Sequence, residues 1–250
     1  MPQKVKKKVE KTESVTLASS LVQWLRADYH FHVFHYRMPE TVAIAAVTPF
    51  VPSPLTMKMA LVASLLQSGD NKSAKQLARL LPSIKVDVVP SPSAFSFKTF
   101  LRYRSMPAVE SNGGLDESGS YCPSRPHMRE YALLEDCITV FIGLPDRSIV
   151  EIVKMALQGI RYLGAKDSLV TCLCVKEVSG DEVKKAKTIR PLQEGVPGSV
   201  ILGADFNSSV SLELRDLIPG LRKKEHYRLL PFTLSGKVIV KGGTRIFKRN

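Results

Sequence analysis

The chain has 250 residues, with 36 Lys plus Arg against 23 Asp plus Glu, a formal charge of +13 and a sequence pI near 9.7. At 44% hydrophobic residues and a mean hydropathy of −0.02 it can fill a core, which excludes a wholly disordered chain. No apolar run approaches the roughly 18 residues that cross a bilayer, and the polar stretch after the basic N-terminus excludes a secretory leader, so a soluble, cytoplasmic protein without membrane association is expected.

In chain order, residues 1–12 carry five Lys and one Glu and read as a basic tail within an N-terminal extension, 1–28. YHFHVFHYR from Tyr29 has strand composition, and TVAIAAV from Thr41 continues or pairs with it. In SPLTMKMALVASLLQSG, Ser53 is a cap, Pro54 suits the first helical position, Leu55, Met59, Val62 and Leu66 form a stripe, and Gly69 marks the stop. A shorter helix over 73–81 precedes two alternating strands, IKVDVV from Ile84 and AFSFKTFLRY from Ala94. Residues 105–127 lose periodicity and are rich in Gly, Ser and Pro, a loop long enough to be functional or disordered. Strand signals resume over MREYALLEDCITVFIG, Ser148 and Glu151 form a capping box for a helix ending near Gly164, and SLVTCLCVK from Ser168 is a strand.

This order predicts an α+β, ferredoxin-like (RRM-like) domain over 29–177 with a protruding hairpin at about 104–127, and a small β-rich C-terminal domain over 178–250. Residues 221–250 hold nine Lys or Arg and one Glu and end in KVIVKGGTRIFK, where Gly242 and Gly243 suit a two-residue hairpin turn. The four cysteines include no CxxC pair, so reduced thiols, no metal and no cofactor are expected.

Strand alternation puts Phe95, Phe97, Thr99, Leu101 and Tyr103 on one face, read as core. Lys98, Phe100, Arg102 and Arg104 fall on the other, read either as a solvated face or as an RNA surface in which cations hold phosphates and a ring stacks on an unpaired base. Arg125, Arg129, Arg245 and Lys248 add candidate phosphate contacts, and Lys58 one turn into the helix at Pro54 adds another beside free N–H groups. His30 and His32 share a strand face as a ligand pair would, but no further donor set accompanies them. His127 with Tyr131 offers a competing, catalytic reading: a general base for metal-independent RNA cleavage.

Three stretches, TPFVPSPLTMKMALVASLL (48–66), RPHMREYALLEDCITVFIGLP (125–145) and IVKMALQGIRYLGAKDSLV (152–170), resemble the Cas family-five subunit of the type I CRISPR Cascade complex, a branch of the RAMP superfamily. The resemblance implies a non-catalytic, RNA-binding subunit in antiviral defence that caps the 5′ handle of the CRISPR RNA. It implies contacts to the backbone RAMP subunit and the large subunit, target DNA being reached only through the complex. It also implies a thumb hairpin at about 104–127 flanked by Lys98, Arg102 and Arg129, with Glu130 and Tyr131 in a structural role. The departures are the residues preceding the first strand and a terminal KGGTR too short for the glycine-rich loop of the processing nucleases. One branch of the family cleaves precursor CRISPR RNA, which keeps endoribonuclease activity as the alternative.

Overall fold

The computed structural model describes residues 23–35, 47–104, 124–192, 198–218 and 223–250; for 101–104 and 124–127 only the backbone is described. Residues 1–22, the segment 41–46 of the expected strand at Thr41, and 105–123 of the long loop lie outside it.

Period-2 burial makes β1 (Gln23–Phe31) a central strand, six residues ahead of the expected start at Tyr29. Leu25, Ala27, Tyr29 and Phe31 face the core. Two helices follow, α1 (Pro54–Gln67) and α2 (Asn71–Leu80), then the strands β2 (Lys85–Val89), β3 (Ser93–Arg104), β4 (Ser124–Leu134) and β5 (Ile138–Leu144). Beyond them lie α3 (Val150–Gln158) and β6 (Val170–Val178). β1, β2, β5 and β6 form one fully antiparallel sheet in the order β2-β5-β1-β6. The Tyr29 hydroxyl donates to the Leu157 carbonyl at 2.8 Å, which pins α3 to this sheet.

The start of α1 is as its residues dictate: the Ser53 hydroxyl accepts from the Thr56 N–H, Pro54 occupies the first turn, and Gly69 follows at φ +83°. Its buried face is wider than the expected stripe, with Leu55 and Val62 inside as expected. Met57, Lys58, Leu61 and Leu65 are inside while Leu66 is 40% exposed, because a later strand covers α1 on a second side. Asp70 caps α2. At α3 the expected Ser148–Glu151 box is absent; Asp146 accepts from the Ser148 N–H, and Glu151 pairs with Lys154 at 2.8 Å instead.

The C-terminal part contributes the short helix α4 (Gly180–Lys185), β7 (Arg190–Pro191), β8 (Ser199–Phe206), β9 (Tyr227–Leu234), β10 (Gly236–Lys241) and β11 (Thr244–Arg249). It is not the separate β-rich domain that the composition change suggests. β11 pairs with β3, completing a sheet in the order β10-β11-β3-β4, and only β7-β9-β8 form a sheet of their own. One buried apolar cluster runs from β1, α1 and α3 to Phe206, Leu234 and Phe247. Gly242 and Gly243, at φ +59° and +80°, make the expected two-residue turn between Lys241 and Thr244. No helix among the described residues is long and apolar enough to cross a membrane.

Candidate nucleic-acid interface

β3 and β4 pair continuously from Ala94↔Leu134 to Arg104↔Ser124. β11 accompanies β3 only from Ser93 to Ser96, and β4 has one further bridge, Ala132 to Phe34. Among the described residues, the pair therefore runs on from Phe97 as a two-stranded ribbon.

The root of this ribbon is organised by a buried carboxylate. Glu130 is 1% exposed and accepts from the Thr48 N–H (2.7 Å), the Ser96 hydroxyl (2.6 Å), and both Nε and Nη2 of Arg245 (2.9 Å each). Arg245 also donates to the Thr48 carbonyl and lies 4.9 Å over the Phe50 ring. Burial alone would push the Glu130 carboxyl up, but the hydrogen bonds from Arg245, Ser96 and Thr48 outweigh it and hold it below the usual carboxylate range. Beside it, the buried His35 ring contacts the Glu130 carbonyl at 2.8 Å and packs 5.0 Å from Tyr131.

The sequence-predicted residues separate against this frame. Lys98 and Phe100 are exposed, Phe100 at 72%, on the side of β3 that continues outward from the core-facing Ala94 and Ser96. Arg102 and Arg104 sit farther along, opposite Pro126 and Ser124, and His127 lies opposite Leu101; the side chains of Arg102, Arg104, Arg125 and His127 lie outside the described residues. Arg129 pairs with Asp167 at 3.0 Å, and the Tyr131 hydroxyl donates to the same carboxylate at 2.9 Å. Lys248 is exposed on β11.

Two candidates are corrected. Arg245, 20% exposed and bidentate on Glu130, has its guanidinium committed to the fold. Lys58 is 1% exposed and 2.6 Å from Asp205 of β8, so it offers no charge at the start of α1. Burial lowers its pKa, a shift that Asp205 opposes. His30 and His32 are exposed with ring centroids 5.2 Å apart, while His35 is buried elsewhere. Among the described residues no group of three or more His, Cys, Asp or Glu could hold a metal ion.

The face assignment at the base of β3 is also corrected. Ala94 and Ser96 are buried, whereas Phe95 is 43% exposed and Phe97 half-buried, so the supposed core face is the outer one. Small residues on the inner side (Ala94, Ser96, Ala132) are the signal that locates the close-packed face.

No family model matches the chain. It is 24% identical over 170 residues to the CRISPR-associated protein Cas5 of Archaeoglobus fulgidus, an alignment covering 67% of this chain and 71% of that protein. Similar solved structures include a CRISPR protein from Archaeoglobus fulgidus, at TM-score 0.43 and 11% identity over 91% of this chain and 92% of that one. Another is a chain of a CRISPR RNA-guided surveillance complex, at TM-score 0.45 and 12% identity over 84% of this chain and 88% of that one.

Proposed function

We propose that the chain is the Cas5-type, non-catalytic subunit of a type I CRISPR Cascade complex, binding the 5′ handle of the CRISPR RNA in the cytoplasm as part of antiviral defence. The observation that carries this reading is an exposed Lys98 and Phe100 on a long two-stranded ribbon, in a chain whose sequence is similar to a Cas5 protein. The antiparallel order β2-β5-β1-β6, with helices after its first and third strands in chain order, supports the ferredoxin-like assignment, and the ribbon supports the thumb. In this reading the ribbon engages the backbone subunit and the adjacent RNA, and the large subunit and target DNA meet the chain in the assembled complex. The engagement of the Tyr131 hydroxyl by Asp167 favours a structural role for that residue over a catalytic one.

Co-purification tests the proposal: the tagged chain should bring down a short RNA with a constant 5′ end. Replacing Lys98, Arg102 and Arg104 together with Ala should weaken handle binding and flatten the slope of log K against log salt by about 2, at roughly 0.7 per lost single-strand phosphate contact. An unchanged slope misplaces the site. A specific cut in repeat RNA in EDTA, lost in His127→Ala, replaces the binding role with endoribonuclease activity.

A further inference from the structure

The sheet β10-β11-β3-β4 covers the core with only one side. Phe247, Ala94, Ser96, Glu130 and Ala132 point inward and are buried. By register, Ile239, Ile246, Phe95 and Leu133 form one row across the opposite side, and Phe97 and Tyr131 are partners in the next. On this side Ile239 is 53% exposed and Phe95 43%, and the others are half-buried, Tyr131 being held by Asp167 and packed against His35. Its three rings form a continuous series, Phe95 to Phe97 at 6.1 Å and Phe97 to Tyr131 at 6.0 Å, the second pair stacked.

Charge identifies the occupant. Lys237 and Lys248 are register partners one row to one side of Ile239 and Ile246, and Lys241 lies one row to the other. All three are exposed and none has an ion-pair partner among the described residues. Asp167 is paired with Arg129, while the exposed Glu135 accepts the Ser93 hydroxyl at 2.5 Å and keeps its charge at the Lys248 row, leaving Lys237 and Lys241 as the cations farther from it. An apolar, ring-bearing strip flanked by exposed ammonium groups matches a strand whose bases are exposed and whose backbone is anionic. A duplex, with its bases stacked inside, would leave the rings unused.

We infer that this outer sheet face is a stacking platform for a single-stranded nucleic acid, in which unpaired bases lie on Phe95 and Phe97 while Lys237, Lys241 and Lys248 hold the phosphates. The inference deepens the nucleic-acid reading above and rests on it, but it concerns the side of β3 opposite Lys98 and Phe100.

The test is fluorescence anisotropy of the full chain with labelled 12-nucleotide oligouridylate, its deoxy counterpart and a duplex of the same length. The single strands should bind more tightly than the duplex, and a preference for the ribo over the deoxy strand identifies RNA as the ligand. Phe95→Ala and Phe97→Ala should each weaken single-strand binding about fivefold to 100-fold, as for loss of one stacked base. Phe95→Trp should preserve it. Phe95→Leu, which keeps an apolar side chain and so guards against misfolding, should behave like Phe95→Ala. Full affinity in Phe95→Leu, or equal losses for duplex and single strand, overturns the platform. So does unchanged oligonucleotide binding in variants that instead lose a co-purifying protein, because that assigns the face to a polypeptide. If Phe95→Ala abolishes oligouridylate binding while no RNA with a constant 5′ end co-purifies, the platform stands and the Cascade role falls.

Discussion

The Glu130–Arg245 pair joins β4 to β11 at the root of the ribbon, and its removal should be felt throughout the fold. In Glu130→Gln the shape is retained but the charge is lost. Hydrogen bonds to charged groups contribute about 1.5–3 kcal/mol against about 0.5–1.5 for neutral ones, so weakening both Arg245 bonds and turning an amide NH2 toward existing donors should cost about 2–4 kcal/mol. Glu130→Ala, which strands a guanidinium only 20% exposed together with the Thr48 N–H and Ser96 hydroxyl, should cost about 4–6 kcal/mol, much of a typical total stability. Urea denaturation reads this directly: with a slope of about 3 kcal/mol/M, Glu130→Gln should shift the midpoint down by about 1 M. Replacing both partners with Met removes the uncompensated charge and should recover part of the Glu130→Ala loss, the Thr48 N–H and Ser96 hydroxyl still lacking their acceptor. The pH dependence has a definite sign. The folded carboxyl titrates below its ordinary value, so its contribution is complete above about pH 4.5 and disappears as the pH falls through the folded pKa. The gap between wild type and Glu130→Gln should close at acid pH. A Gln variant within about 0.5 kcal/mol of wild type at pH 7, or a double Met variant no more stable than Glu130→Ala, refutes the assignment of the pair as the root's organiser.

Two further outcomes follow from the packing. Lys58→Ala should lower stability by about 2–4 kcal/mol, since it leaves Asp205 partly buried without its cation, while Lys58→Met should lose less; chemical denaturation of both variants compares them. In Gly236→Ala the added methyl would sit 2.3 Å from the Lys248 carbonyl and 2.5 Å from the Phe247 ring, so the thermal midpoint should fall by about 4–8 °C, whereas Gly180→Ala, whose nearest neighbour is at 3.8 Å, should leave it unchanged.

Local signals carried much of the fold. The Ser53–Pro54 helix start and the Gly242–Gly243 turn were readable because each depends on a few neighbouring residues. What escaped depends on partners distant in sequence. Nothing near Lys58 announces Asp205, 147 residues later, and a cation one turn into a helix reads locally as a surface group. Arg245 looked like one more charge in a basic tail because its partner Glu130 lies 115 residues earlier. The faces of β3 were misread for the same reason. Phenylalanines occupy both alternations of AFSFKTF, so periodicity alone could not rank them, and the pairing of β11 at Ala94 and Ser96 decides which side meets the core.

That pairing also sets an order of events during folding. β3 emerges from the ribosome about 150 residues before the strand that flanks its base, and Ser96 meets Arg245 only after the 149-residue separation between them has been synthesised. Until then the β3–β4 hairpin has a bare edge next to an aromatic strip, the kind of surface that recruits other chains. β11 therefore acts as a closure on the nascent protein, shielding that edge with backbone hydrogen bonds and locking it with Arg245.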